Sequence, residues 1–126
     1  MIPEKTATIK KPKEQPKACP NTLRAIQDAL GVLNGKWRIA IIGSLNMTGK
    51  MRFMDLKREV RGVAAKMLSK ELRDLELNEL VKRTVYDSKP VTIEYELTPY
   101  GKTLEKVIIE IANWGLEHRK RILKKK

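Results

Sequence analysis

The sequence predicts a mainly α fold with one small β-hairpin, on three observations. Apolar residues recur at helical spacing through four stretches before residue 80. The period then changes to alternation over 81–86 and 92–97, with turn residues between them. After Thr98-Pro99 the spacing is helical again, almost to the last residue.

Taken in order, residues 1–18 hold three prolines among lysines and threonines and almost nothing apolar, the composition of a disordered basic arm. A first helix follows Cys19-Pro20, with Asn21 or Thr22 as N-cap and Leu23, Ile26, Leu30 and Leu33 on one side. Gly31 and Gly35 punctuate it. From Lys36 to Asn46 an apolar run of helical length has Trp37, Ala40, Ile41 and Leu45 as its expected buried side. Asn46 to Gly49 reads as a turn, Lys50 to Phe53 as a short extended piece and Met54 to Val60 as a short helix. Arg61-Gly62 then connects to the next helix, with Gly62 expected as a C-cap of positive φ.

Val63 to Leu80 reads as one amphipathic helix. Leu68, Leu72 and Leu75 face a core, while Lys66, Ser69, Lys70 and Arg73 fall at i, i+3, i+4 and i+7 on another side. Those four side chains carry donors of a length that reaches phosphates and base edges in a DNA major groove. The plainer alternative is a surface helix whose charges are solvated. Two helices joined by a short Gly-bearing turn make the helix-turn-helix arrangement, and an alternating hairpin directly after it is a wing. Asp87-Ser88-Lys89-Pro90 has turn chemistry, so Lys89 is expected near the wing tip, placed to meet DNA. Lys36 and Arg52 are expected to contact the DNA backbone.

The last helix starts with a Thr98 N-cap and Pro99 at its first position. Leu104, Val107, Ile111 and Trp114 form one apolar stripe, and Ile108, Ala112, Gly115 and Ile122 a second beside it. Two apolar sides suit a helix that covers its own domain with one and a second copy of the chain with the other. The alternative is a helix wrapped deep into its own core.

At 126 residues, 41% hydrophobic and 33% charged, the chain is expected to be one globular domain over 19–118. The net charge is +12 and the pI near 10.0, which favours a polyanionic partner. The excess is concentrated at the ends. Residues 1–18 carry five Lys against two Glu, and the basic C-terminal tail 119–126 carries six basic residues and no acid. No apolar run approaches the ~20 residues of a membrane span, and the start lacks the apolar segment of a signal peptide, so a cytoplasmic location is expected. One cysteine and one histidine leave little material for a metal centre, and no phosphate-binding Gly loop or nucleophile–base set is present. Neither an enzyme nor a bound cofactor is expected.

The pattern resembles the HxlR-type winged helix-turn-helix transcriptional regulators of bacteria and archaea, relatives of the MarR type. The likeness lies in Cys19-Pro20, Gly35-Lys36-Trp37, Arg52-Phe53, Asp55-Leu56 and Lys66-Met67-Leu68-Ser69. It continues through Leu72-Arg73-Asp74-Leu75-Glu76, Leu80-Val81, Arg83, Val85-Tyr86, Glu94-Tyr95, Leu97-Thr98, Gly101 and Trp114-Gly115. The resemblance implies a homodimer on an inverted-repeat operator in double-stranded DNA, with Lys66, Ser69, Lys70 and Arg73 facing the groove. The N- and C-terminal helices would pair the subunits through Leu23, Ile26, Ile108, Ile111, Trp114 and Gly115. Two departures stand out. Ala64 occupies a place where family members often have a capping Ser, and Pro90-Val91-Thr92 lacks the basic residue often found before the Glu-Tyr pair.

Several members of that family sense oxidants or electrophiles through a cysteine just before the first helix, the place of Cys19. A thiolate there is stabilised by the helix dipole and by Lys17 two residues away. The bland alternative is a small buried hydrophobe. The competing function is a non-specific architectural nucleic-acid-binding protein that uses the same scaffold with its basic ends.

Overall fold

The computed structural model describes residues 20–124. The expected arm at 1–18, Cys19 and the last two lysines lie outside them. The chain divides after Leu33 into two units. In the first, helix α1 spans Pro20–Leu33. It begins at Pro20, so Asn21 and Thr22 sit inside its first turn instead of capping it; Pro at the first helical position loses no hydrogen bond there. Leu23, Ile26 and Leu30 are exposed.

The second unit runs through α2 (Arg38–Thr48), β1 (Met51–Arg52), α3 (Phe53–Glu59), α4 (Ala65–Leu77), β2 (Val81–Tyr86), β3 (Thr92–Leu97), α5 (Pro99–Lys102) and α6 (Glu105–Lys124). α2 starts and ends later than its sequence suggests, running through the expected turn to a Gly49 cap at φ 96°. Its buried residues are Ile41, Ile42 and Leu45, with Trp37 half-buried and Ala40 exposed. The buried face differs because α2 packs on two sides, against β3 and α6. On the α6 side a Cβ at Gly43 would stand 3.6 Å from Ile108 Cγ2.

The sheet has three strands in the order β1-β3-β2, both pairings antiparallel. The expected hairpin is therefore joined by a third strand, with Met51 opposite Tyr95 and Arg52 opposite Glu94. Val81 pairs with Leu97 at the root of the hairpin, and both are buried. Burial fades along the same face toward the tip, where Val85 and Val91 are exposed. Across the other face Lys82 stands opposite Glu96, a favourable cross-strand charge pair. The Tyr86 phenol, and then Glu96, raise the Lys50 ammonium above its ordinary value.

α4 is shorter than the Val63–Leu80 of the sequence pattern. Its end is a Schellman turn: the Leu80 N–H donates to the Leu75 carbonyl (3.0 Å) and the Glu79 N–H to that of Glu76 (2.9 Å). Leu80 is thereby taken out of the helix and, like Leu75, buried in the core. Gly62 does have positive φ, 90°, but lies two residues beyond the α3 cap at Val60, within the turn itself.

The helix expected from Thr98 onward is two helices. The Thr98 hydroxyl accepts from the Gly101 N–H (2.9 Å) and caps α5, with Pro99 following. After one turn, Thr103 and Leu104 donate to the carbonyls of Tyr100 and Gly101, three residues back. The Thr103 hydroxyl also donates to Tyr100 O (2.6 Å), and α6 starts afresh at Glu105. α6 has no fully buried residue, with only Leu104 just before it, Ile108 and Gly115 half-buried. It is not wrapped into its own core. Residues 119–124, four of them basic, continue it as helix. No described helix is long and apolar enough to cross a membrane.

Candidate nucleic-acid interface

The inner face of α4 is fixed by Leu68, Leu72 and Leu75, each 1% exposed or less. With 3.6 residues per turn, that stripe obliges Lys66, Ser69 and Arg73 to point away from the core, and all of them, with Lys70, are exposed. Ala64, Lys66, Met67, Ser69, Lys70 and Arg73 line one open surface groove. The structure thus brings the four groove-facing candidates together on one face.

They are not equivalent. Lys70 Nζ donates to Asp74 Oδ2 at 3.2 Å, and that hydrogen bond, reinforced by the charges of Lys70, Arg38 and Arg73, holds the Asp74 carboxyl below its usual range. Lys66 and Arg73 form no ion pair among the described residues. At the start of α4, Ala64 takes the extended cap conformation without a side-chain hydrogen bond to the helix. The first amides of α4 thus receive no hydrogen bond from a capping side chain.

One acid of α4 has a role that its charge alone did not suggest. Glu71 is 7% exposed and accepts from Arg38 Nε at 2.5 Å. Arg38 also donates through Nη2 to Asp74 at 2.9 Å. A residue of α2 thus clamps two successive turns of α4. The signal was present: Glu71 lies three after Leu68 and four before Leu75, on the core stripe, and Arg38 stands within an apolar run.

Lys36 and Arg52 lie elsewhere. Both are exposed, but the Lys36 ammonium sits 4.9 Å over the Trp37 ring. Trp37 in turn reaches the inter-helix turn, its Cη2 lying 3.5 Å from where a Cβ on Gly62 would be. Lys36 therefore flanks the α3–α4 connection. Arg52 precedes α3, its N–H donating to Asp55 Oδ2 (3.4 Å), while Asp55 pairs with Arg58. Lys89 is exposed in the β2–β3 turn, where the Ser88 hydroxyl donates to Pro90 O (2.7 Å). Of the expected dimer residues, Leu23, Ile26, Ile111 and Trp114 are exposed and Ile108 and Gly115 half-buried. Cys19 lies outside the described residues. Arg83 and Tyr95, which carried no role in the sequence reading beyond the family pattern, line a second recess with Ser69, Arg73 and Glu76. Only the strand register, unreadable from spacing, brings them to α4.

A helix, a two-residue strand, two further helices and a hairpin in this order, with a cationic helix face beside the hairpin, define a winged helix-turn-helix protein. The chain belongs to the HxlR-like helix-turn-helix family, which it matches over residues 32–122. The HTH-type transcriptional regulator YtcD of Bacillus subtilis is 37% identical over 98 residues, 78% of this chain and 77% of the relative. Among solved structures, the redox regulator HypR in its reduced form is similar with a TM-score of 0.74 and 32% identity, covering 79% of this chain and 98% of that one. Diamide-treated YodB of B. subtilis has a TM-score of 0.62 and 32% identity, covering 79% and 93%. The family is one of transcriptional regulators that bind DNA, not of enzymes, and this chain is a transcriptional regulator with a helix-turn-helix domain.

Proposed function

We propose that the protein is a homodimer that binds an inverted-repeat operator, with α4 of each protomer in a major groove. The carrying observation is the division of α4: one face is locked in the core, and Lys66, Ser69, Lys70 and Arg73 share the exposed face beside the hairpin. Arg73, without an ion pair among the described residues and one turn beyond Ser69, is the side chain suited to a bidentate contact with guanine. Lys66 and Lys70 suit phosphates, as do Lys36 and Arg52, and Lys89 suits the DNA beside the wing. The basic residues of 1–18 and 119–126 add attraction that is independent of sequence.

A second element of the proposal is control through Cys19. Its support is likeness to proteins described as a redox regulator and as diamide-treated. With a single cysteine in the chain, an oxidised form joins two subunits or takes up a small thiol.

One experiment addresses both. DNA fragments are selected at physiological salt against excess competitor, and the recovered sequence is used as a probe. The expected product is a short inverted repeat with half-sites about one helical turn apart. Diamide is expected to release the probe from wild type and not from Cys19→Ala. Recovery of no common sequence, with binding that collapses as salt rises, would replace the operator reading by the architectural one. Equal behaviour of the two proteins toward diamide would remove the cysteine control alone.

A further inference from the structure

The hairpin does more than flank α4, because its inner face and α4 enclose a polar recess. Arg83 and Tyr95 are directly opposed across β2 and β3, so both side chains leave the same face of the sheet. That is the face whose root, Val81 with Leu97, is buried. On α4, Ser69, Arg73 and Glu76 stand at i, i+4 and i+7 and form a single stripe. The five side chains line one recess. Neither Arg73 nor Arg83 forms an ion pair among the described residues.

Two guanidiniums that share a recess repel each other unless an anion lies between them. Glu76 offsets one of the two charges and leaves one net positive charge, the complement of a single phosphodiester. The guanidinium fork matches two phosphate oxygens, and the Ser69 and Tyr95 hydroxyls add donors. Arg73 lines both this recess and the α4 groove, so it marks the border between them. Arg83, on strand β2, lines this recess and not the α4 groove.

We infer that the recess between α4 and the hairpin seats one backbone phosphate of the bound DNA, with Arg83 as its principal donor. The inference rests on the operator-binding reading above. It gives the wing a phosphate contact at its root, independent of the Lys89 tip. It also assigns Glu76 an opposing part, since its carboxylate faces the same phosphate and weakens its hold.

The test compares full-length wild type, Arg83→Ala, Glu76→Gln and the pair Lys66→Ala/Lys70→Ala. Fluorescence anisotropy on the selected operator and on an unrelated duplex is read across a salt series. Arg83→Ala is expected to lower affinity about tenfold on both duplexes and to reduce the salt slope by about 1. Glu76→Gln is expected to raise affinity about two- to threefold on both, as removal of a repelling charge requires. If the lysine pair weakens binding while Arg83→Ala leaves affinity and slope unchanged, the recess holds no phosphate and the operator reading survives. If Arg83→Ala alters preference at one base with an unchanged slope, Arg83 contacts a base and the phosphate assignment is overturned. If neither the lysine pair nor Arg83→Ala changes binding, α4 is not the docking element and both readings fall.

Discussion

At Glu79 the backbone takes a φ of 63°, a left-handed conformation that costs an ordinary side chain about 1–2 kcal/mol. The Schellman turn needs that conformation to send Leu80 into the core and start β2, so the strain is kept. Twenty-two residues later the fit is the reverse. A Cβ on Gly101 would stand 2.2 Å from the Leu80 carbonyl oxygen, in the place where Thr98 donates its hydroxyl to Glu79 O (2.7 Å) and its N–H to Leu80 O (3.0 Å). Two substitutions of opposite sign follow. Glu79→Gly is expected to stabilise by about 0.5–1 kcal/mol, relief of strain exceeding the added chain entropy. Gly101→Ala would gain about 1 kcal/mol of helix propensity, yet backbone cannot yield as a flexible side chain would, and a net loss of about 2–3 kcal/mol is expected. Urea denaturation measures both; a Gly101→Ala variant as stable as wild type would disprove the crowding. Neither position announces this in the sequence. A glutamate is no signature of a left-handed cap, and the Gly101–Leu80 approach joins residues far apart in the chain.

Between elements, the Arg38 clamp fixes α4 to α2. The side chains of Arg38 and Glu71 are only 13% and 10% exposed, so their ion pair is largely desolvated. Removing one partner of such a pair leaves an uncompensated charge, at a cost of about 3–5 kcal/mol, whereas replacing both by apolar groups is often near neutral. Arg38→Met is therefore expected to cost about 3 kcal/mol or more, and Arg38→Met/Glu71→Leu to recover most of it. A double-mutant cycle from urea denaturation reads the difference; additive losses would show that the pair is not coupled. Asp74 adds a pH dependence. Its carboxyl titrates below the usual value, so its contribution is present above the unfolded carboxylate pKa and lost as pH falls through the lowered one. At this scale much was legible. Alternation alone places β2 and β3 at 81–86 and 92–97, as observed, because a half-buried hairpin must alternate. The α4 core stripe was equally plain. What escaped were features set by neighbours: the face of α2, packed on two sides; the partner of the extended piece expected at 50–53, which as β1 pairs with β3 more than forty positions away; and the α5–α6 break. The recess at Arg83 escaped for the same reason, since it exists only through register.

For the molecule as a whole, the second unit is held together by α2, α3, α4 and the sheet, and its α6 touches the rest mainly through α2. Val107, Ile111 and Trp114, at i, i+4 and i+7, are 44%, 45% and 68% exposed. Ile122 extends the stripe at 46%. His118 lies along it, stacked on the Trp114 ring at 4.9 Å. A continuous apolar stripe of this length on one protomer marks an interaction surface, and the proposed dimer covers it with its symmetric copy. Ile111→Glu/Trp114→Ala removes apolar surface that the protomer itself does not bury, so the far-UV circular dichroism is expected to stay that of wild type. Sedimentation is expected to change from dimer to monomer. Operator affinity should then fall by about two to four orders of magnitude, because two linked half-sites act at a high effective concentration that one protomer cannot use. Binding to an unrelated duplex, carried mainly by charge, should fall far less. In an Ile111→Glu single variant, which keeps Trp114, the emission of that indole reports on its cover and should shift to the red as the dimer dilutes apart. A double variant that remained dimeric would place the subunit contact elsewhere. A monomeric variant with undiminished operator affinity would leave the half-site, not the dimer, as the unit of recognition.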